Sequence, residues 1–82
     1  MKLQVQCFAA ARDLVGGQET VEIDVVAPAT AADVFAELAV RYPSLSSLIT
    51  RSRLAVDVAY VSTETVIEAG PSRALIPPVS GG

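Results

Sequence analysis

The sequence contains no histidine and only one cysteine among its 82 residues. A single cysteine excludes an internal disulfide framework and is compatible with a reducing compartment. The chain also lacks a Gly-x-x-x-x-Gly-Lys phosphate-binding loop and a cluster of metal-ligating residues. We therefore expect no bound metal, no cofactor and no catalytic site belonging to this chain alone.

Basic residues are also scarce, with six against nine acidic residues and a formal net charge of −3. They are spread from Lys2 to Arg73, so they form no basic stripe for a phosphate backbone, and nucleic acid is excluded as a partner. No apolar run is long enough to span a bilayer, and the segment after Lys2 alternates where a signal peptide would be continuously apolar. These features predict a cytoplasmic protein that does not use a membrane.

The length limits the chain to one domain, because a second hydrophobic core could not be enclosed. Hydrophobic residues nevertheless make up 51% of the sequence. So small an interior needs fewer, and we expect some of the apolar surface to face another protein.

The first half of the sequence predicts two strands and a helix. Alternating apolar residues predict a strand over 1–8 and another over 20–26, joined as a wide hairpin through an alanine-rich segment and a Gly16-Gly17 turn. Thr30 and Asp33 have the spacing of a capping box, which marks the start of an amphipathic helix. Because Pro43 disfavours helix at the preceding residue, this helix should end near Tyr42.

The second half predicts a short helical turn around Leu45 and Leu48, followed by strands. These strands are an alternating one over 54–58, a short strand or loop over 60–66, and a last strand over 73–76 after a Gly70-Pro71 turn. The order predicts an α+β fold, a mixed β-grasp (ubiquitin-like) sheet with one main helix on one face. A ferredoxin-like split βαβ fold is the alternative, but it needs a second helix that the sequence does not offer.

The C-terminal segment has no charged side chain from Ala74 onward. Pro77-Pro78 favours extended backbone, and Gly81-Gly82 can enter a channel too narrow for a Cβ. A terminal diglycine occurs by chance in roughly one chain in 200. We interpret residues 1–76 as the domain and 77–82 as an extended tail that reaches on the order of 20 Å into a partner.

Two stretches resemble signatures of one family. Phe-Ala-Ala-Ala-Arg-Asp-Leu-Val-Gly at 8–16 and Leu-Ile-Pro-Pro-Val-Ser-Gly-Gly at 75–82 are similar to the small, sulfur-carrying subunits of molybdopterin synthases, in the ubiquitin-like sulfur carrier superfamily. The resemblance implies a β-grasp fold and three partners: an adenylating E1-like enzyme, a sulfur donor protein and the large synthase subunit. It implies that the terminal carboxylate is adenylated, becomes a thiocarboxylate, and donates sulfur to cyclic pyranopterin monophosphate during molybdenum cofactor biosynthesis.

The resemblance also implies the site residues. Gly82 would supply the reacting carboxylate, as 1-thioglycine or acyl-adenylate. The residues expected to contact partners lie near the tail or beside its root: Phe8, Leu75, Ile76, Pro77, Pro78, Val79, Ser80 and Gly81.

The sequence departs from the family at two places. The usual acidic Asp-Gly-Asp-Glu turn is replaced by the uncharged residues 69–72, followed by Arg73, and a common asparagine is Asp57 here. Cys7 is interpreted as a buried strand residue and not a persulfide relay. Arg12 is interpreted as a solvated surface arginine. Two other functions stay open: a carrier for thiamine, cysteine or tRNA thiolation, which has the same tail chemistry, and a ubiquitin-like modifier joined to lysines through Gly82.

Overall fold

The structure, a computed structural model, describes residues 1–57, 59–68 and 73–76. Within these residues the chain forms strands and helices in the following order: β1 (Lys2–Cys7), α1 (Ala9–Leu14), β2 (Thr20–Asp24), β3 (Ala29–Thr30), α2 (Ala31–Arg41), a 3₁₀ turn (Pro43–Leu45), α3 (Ser46–Ile49), β4 (Arg53–Val56), β5 (Ala59–Val61), β6 (Val66–Ile67) and β7 (Arg73–Ile76).

Five of the strands form a mixed sheet in the order β2-β1-β7-β4-β5. β1 is antiparallel to β2 and parallel to β7, while β4 is antiparallel to both β7 and β5. β3 and β6 form a separate antiparallel pair. The last strand therefore lies at the centre of the sheet, beside the first, with α2 in the connection between them. This is the β-grasp arrangement, so the fold prediction is confirmed and the ferredoxin-like alternative is wrong.

The core lies between the sheet and α2. The exposed-buried alternation of β1 and β2 sends every second side chain into it, as the period of a strand requires. Val34 and Leu38 contribute to the core from one face of α2. Leu45 and Leu48, from the 3₁₀ turn and α3, cover one end of the core. Each aliphatic side chain buried in this way contributes roughly 1.5 to 3 kcal/mol to folding.

The start of α2 is fixed by a capping box. The Asp33 carboxylate accepts the Thr30 backbone N–H at 2.8 Å, and the Thr30 hydroxyl accepts the Asp33 N–H at 3.3 Å. The next two N–H groups, of Ala31 and Ala32, donate to carbonyls in the loop before β6, each at 2.9 Å. The helix ends at Arg41 with Tyr42 as its cap, so both predicted ends are confirmed.

Some predictions at local scale need revision. The alanine-rich segment after β1, expected only as part of a wide hairpin, forms the helix α1 and buries Ala11 completely. The expected strand over 54–58 ends at Val56, and the segment over 60–66 divides into β5 and β6. Gly16 and Gly17 form the expected turn, with φ of 75° and 83°. The Gly70-Pro71 turn lies outside the described residues.

Thr30→Ala should lower the free energy of unfolding by about 1 kcal/mol, because it removes the hydroxyl that accepts the Asp33 N–H. For a domain of this size the melting temperature should fall by roughly 4 to 8 °C. Thermal and urea unfolding measure both values. Thr63→Ala is the matched control, since the Thr63 side chain is exposed and makes no hydrogen bond within the described residues. Equal stability of the two variants would contradict the capping role.

Candidate functional site

The central strand β7 carries the chain to the predicted tail. Its final residue, Ile76, is the last one the structure describes, and it pairs with Arg53 of β4. Six predicted site residues follow it in the sequence and lie outside the described residues: Pro77, Pro78, Val79, Ser80, Gly81 and Gly82. The structure therefore shows the residue from which the predicted tail would extend, at the end of a strand that is paired on both sides.

Successive side chains of β7 point to opposite faces of the sheet. Leu75 has 0% exposure and packs in the core, so the prediction that it contacts a partner is wrong. Residues paired across neighbouring strands point to the same face of a sheet, and Leu75 pairs with the core residues Cys7 and Leu54. Ile76 lies on the other face, the one that α2 leaves uncovered. There it lines a groove together with Phe8, whose exposure is 45%. These two predicted residues are brought together.

A groove with a volume of about 420 Å³ runs across this helix-free face of the sheet. Its floor is formed by small side chains, because Ala55 of β4 pairs with Ala74 of β7. Larger side chains rise on either side, with Phe8 and Ile76 at one wall and Tyr60 of β5 at the other. The remaining lining residues are Gln6, Asp57 and Arg73. The groove is thus a concave, largely apolar surface directly beside the root of the tail.

Arg53 and Asp57 place charge at this groove, whereas the Arg73 side chain has the parity of Leu75 and points to the core face of β7. The Arg53 guanidinium lies over the Tyr60 ring, 5.3 Å from its centroid, in cation–π geometry. Asp57 follows β4 with a φ of 49°, a left-handed conformation that aspartate adopts more readily than most residues. Arg73 is only 4% exposed. None of Arg53, Tyr60 or Ala55 was predicted from the sequence.

The buried Arg73 side chain has hydrogen-bond partners for only some of its donors within the described residues. The Arg73 guanidinium donates a hydrogen bond to the Glu68 carbonyl oxygen, while its Nε has no partner within the described part of the chain. Burial lowers the pKa of Arg73 from its ordinary value, and the negative charge of Asp57 acts in the opposite direction. Removing a guanidinium from water favours its neutral form, which explains the direction of the larger effect.

Comparison with known proteins gives a family. The ThiS family matches residues 5–82 of this chain. The chain belongs to the ThiS family. It is therefore a ubiquitin-like sulfur carrier.

Individual relatives cover the whole fold. A molybdopterin synthase sulfur carrier subunit from Arabidopsis thaliana is 28% identical over 82 residues, which are all of this chain and 84% of the relative. The crystal structure of SAMP1 from Haloferax volcanii is 27% identical, covers 100% of both chains and superposes with a TM-score of 0.84. A molybdopterin converting factor subunit 1 from Pyrococcus furiosus is 25% identical, covers 96% of this chain and 99% of its own, and gives a TM-score of 0.83.

The cysteine of this ThiS-family chain lies away from solvent. Cys7 is 2% exposed on the core face of β1, which confirms its interpretation as a buried strand residue. Burial raises the pKa of the Cys7 thiol above its ordinary value, so the nucleophilic thiolate is disfavoured. Arg12 lies at the surface, 3.8 Å from the Glu19 carboxylate, as expected of a solvated arginine. An exposed pair of this kind contributes little to stability.

The described residues contain no group of three or more cysteine, aspartate or glutamate side chains placed to hold a metal ion. Nor do any of the helices in residues 1–57, 59–68 and 73–76 combine the length and the apolar character needed to cross a membrane.

The Cys7 thiol should react with iodoacetamide in the native protein at least roughly 100-fold more slowly than in the urea-unfolded chain, because alkylation requires an opening of the fold. The raised pKa acts in the same direction, since at a given alkaline pH the folded protein holds less thiolate than the unfolded chain. Mass spectrometry of timed, quenched reactions measures both rates. Native alkylation as fast as that of the unfolded chain would contradict the buried position.

Proposed function

We propose that this chain is the sulfur carrier subunit of a molybdopterin synthase, with the Gly82 carboxylate as its reacting group. The observation that carries the proposal is the position of Ile76. It ends a strand held on both sides in the sheet and is followed in the sequence by six uncharged residues that finish in Gly81-Gly82. The named functions of the Arabidopsis and Pyrococcus relatives support the choice of molybdopterin as the product.

The chemistry requires other proteins. An α-carboxyl group has a pKa of about 3.3 to 3.7, so at neutral pH it is an anion and a poor electrophile. In the proposed sequence the Gly82 carboxylate attacks the α-phosphate of ATP on an adenylating enzyme, and pyrophosphate leaves. Sulfide-level sulfur supplied by a donor protein then attacks the acyl carbon, AMP leaves with the carboxylate oxygen, and the product is a thiocarboxylate. The large subunit transfers this sulfur to cyclic pyranopterin monophosphate, and water restores the carboxylate oxygen.

The domain and the tail have separate tasks in this proposal. Residues 1–76 form the domain that a partner binds, and residues 77–82 extend from this domain into the partner's active site. Ordering a flexible residue costs about 1 to 2 kcal/mol, and Pro77-Pro78 reduces that cost by restricting the free tail to extended backbone. Gly81-Gly82 needs no space for side chains and therefore suits a narrow channel.

The groove beside Ile76 is the surface on which partners bind the domain. It lies on the sheet face that α2 leaves open, and its apolar walls include Phe8 and Tyr60, which are 45% and 60% exposed. Exposed aromatic side chains of this kind bury much area when a partner covers them and often dominate binding energy. Contacts here would place the root of the tail directly at the entrance of the partner's channel.

Deleting Gly82, or adding one alanine after it, should abolish sulfur loading and leave the melting temperature unchanged, because the terminal carboxylate supplies the chemistry and the core lies elsewhere. The assay incubates the protein with ATP, the cognate adenylating enzyme and a sulfur source. Intact mass spectrometry then detects the exchange of one oxygen for sulfur. Glu64→Gln, an exposed surface change, should load normally. Thiocarboxylate on the chain lacking Gly82 would refute the assignment.

Phe8→Ala should raise the Kd for the cognate large subunit by about 10-fold or more, which corresponds to about 1.4 kcal/mol or more of lost binding energy. Titration calorimetry measures the affinity. Val40→Ala is the matched control, since Val40 is 74% exposed on α2 and lies outside the groove. The control should bind within twofold of the parent. Equal loss in both variants, or in neither, would show that the groove is not the docking surface.

A second candidate is a protein modifier. It is favoured by the similarity, over the full length of both chains, to SAMP1 of Haloferax volcanii, which is named small archaeal modifier protein 1. A modifier would be joined through Gly82 to lysine side chains and would give isopeptide products. Carriers for thiamine, cysteine or tRNA thiolation share the thiocarboxylate and differ in the acceptor. Intact mass spectrometry of protein from its native cell separates conjugates from the thiocarboxylate. Supplying cyclic pyranopterin monophosphate with the large subunit then tests the acceptor.

A further inference from the structure

At the groove on the helix-free face of the sheet, a positive and a negative side chain lie at opposite ends of β4. Arg53, Ala55 and Asp57 alternate along the β4 segment, so their side chains share the face that carries the groove. Arg53 pairs with Ile76, which places it at the end where the chain leaves β7. Asp57 lies at the opposite end, about 13 Å away along an extended chain. The cation therefore stands beside the root of the tail.

The ionised side chains at the groove are Arg53, which borders it over Tyr60, and Asp57, which lines its other end. The Arg73 side chain is buried on the core face and interacts with the negative charge of Asp57. The exposed cation at the end where the chain leaves β7 is therefore Arg53. Neither of the ion pairs found in the described part of the chain involves it.

Arg53 is held in place by an aromatic ring. Its guanidinium lies over Tyr60, one wall of the groove. A guanidinium that stacks by one face keeps the N–H groups at its edge, which can pair with both oxygens of a carboxylate. Holding the side chain over Tyr60 before binding also reduces the entropy lost when a partner arrives.

We propose that Arg53, positioned by Tyr60, is an orienting contact that selects partners bearing a carboxylate at the entrance of the tail channel. This rests on the proposed function, because it assumes that tail-processing proteins dock on this groove. The occupant is a protein surface with an apolar side chain that enters between Phe8 and Tyr60 and an aspartate or glutamate beside it. Apolar contacts supply affinity, while the single charged contact fixes the direction in which the tail enters.

Charge reversal tests this assignment. Association rates of the purified cognate large subunit are measured at low and high salt with the parent, Arg53→Glu and Arg51→Glu. Arg51 is exposed and lies outside the groove, so the control makes the same change in net charge. Arg53→Glu should slow association by about 10-fold or more at 0.01 M salt, and the difference should shrink at 1 M salt, where the Debye length is about 3 Å. Arg51→Glu should change the rate less than about threefold.

A second variant separates the charge from its positioning. Tyr60→Leu keeps an apolar wall but removes the stacking surface, so it should slow association by a smaller factor than Arg53→Glu. In a further variant, a carboxylate at the large subunit's channel entrance is exchanged for lysine. This large subunit should associate fast with Arg53→Glu, whose new carboxylate attracts the lysine, and slowly with the parent, whose Arg53 repels it. Arg53→Glu that associates like the parent, or that slows no more than Arg51→Glu, would overturn the proposal. Thermal unfolding confirms that each variant is folded.

The outcome is distinguishable from failure of the proposed function. If the parent protein forms no thiocarboxylate with ATP and the adenylating enzyme, the sulfur-carrier chemistry itself is wrong. If the parent loads sulfur normally but Arg53→Glu and Arg51→Glu associate at equal rates, the chemistry stands and the orienting role of Arg53 is rejected.

Discussion

The hydrogen bonding of β7 to both β1 and β4 is the constraint on which the rest of the molecule depends. A strand paired on both sides cannot shift its register without breaking two ladders, so the parity of its side chains is fixed. Leu75 consequently completes the core, and Ile76 is directed to the open face. One short strand thereby links the fold to the proposed function, because the pairing that closes the core also decides where the predicted tail begins and which surface lies beside that point.

Local features of the fold were predictable because their causes lie within a few residues. The capping box of Thr30 and Asp33, the stop before Pro43 and the alternation of β1 each follow from neighbouring side chains. The helix α1 was not predicted, since Phe8 gives no side-chain cap and only Ala11 is buried among its six residues. Its position depends on the turn at Gly16-Gly17 and on the pairing of the flanking strands, which are tertiary effects.

The site was predictable only in part, for a related reason. Phe8 and Ile76 were inferred from their signatures, and the structure brings them together in the groove. Leu75 was placed on the same surface wrongly, because a contiguous apolar stretch does not reveal which of its residues faces the core. Arg53, Ala55 and Tyr60 were missed since they join the groove only through the pairing of β4 with β7 and β5, and register between distant strands is not written in either strand alone.

Sulfur chemistry on a protein with a cysteine of its own raises a question of control. A thiolate near an activated carboxylate could attack it and form a thioester in place of the intended product. Cys7 is 2% exposed, lies on the core face of β1, and has its pKa raised by burial. The groove and the root of the tail lie on the other face. Cys7 pairs with Leu75, one residue before the end of β7, so what keeps the thiol away from the groove is the face of the sheet on which it lies and not its distance along the strand.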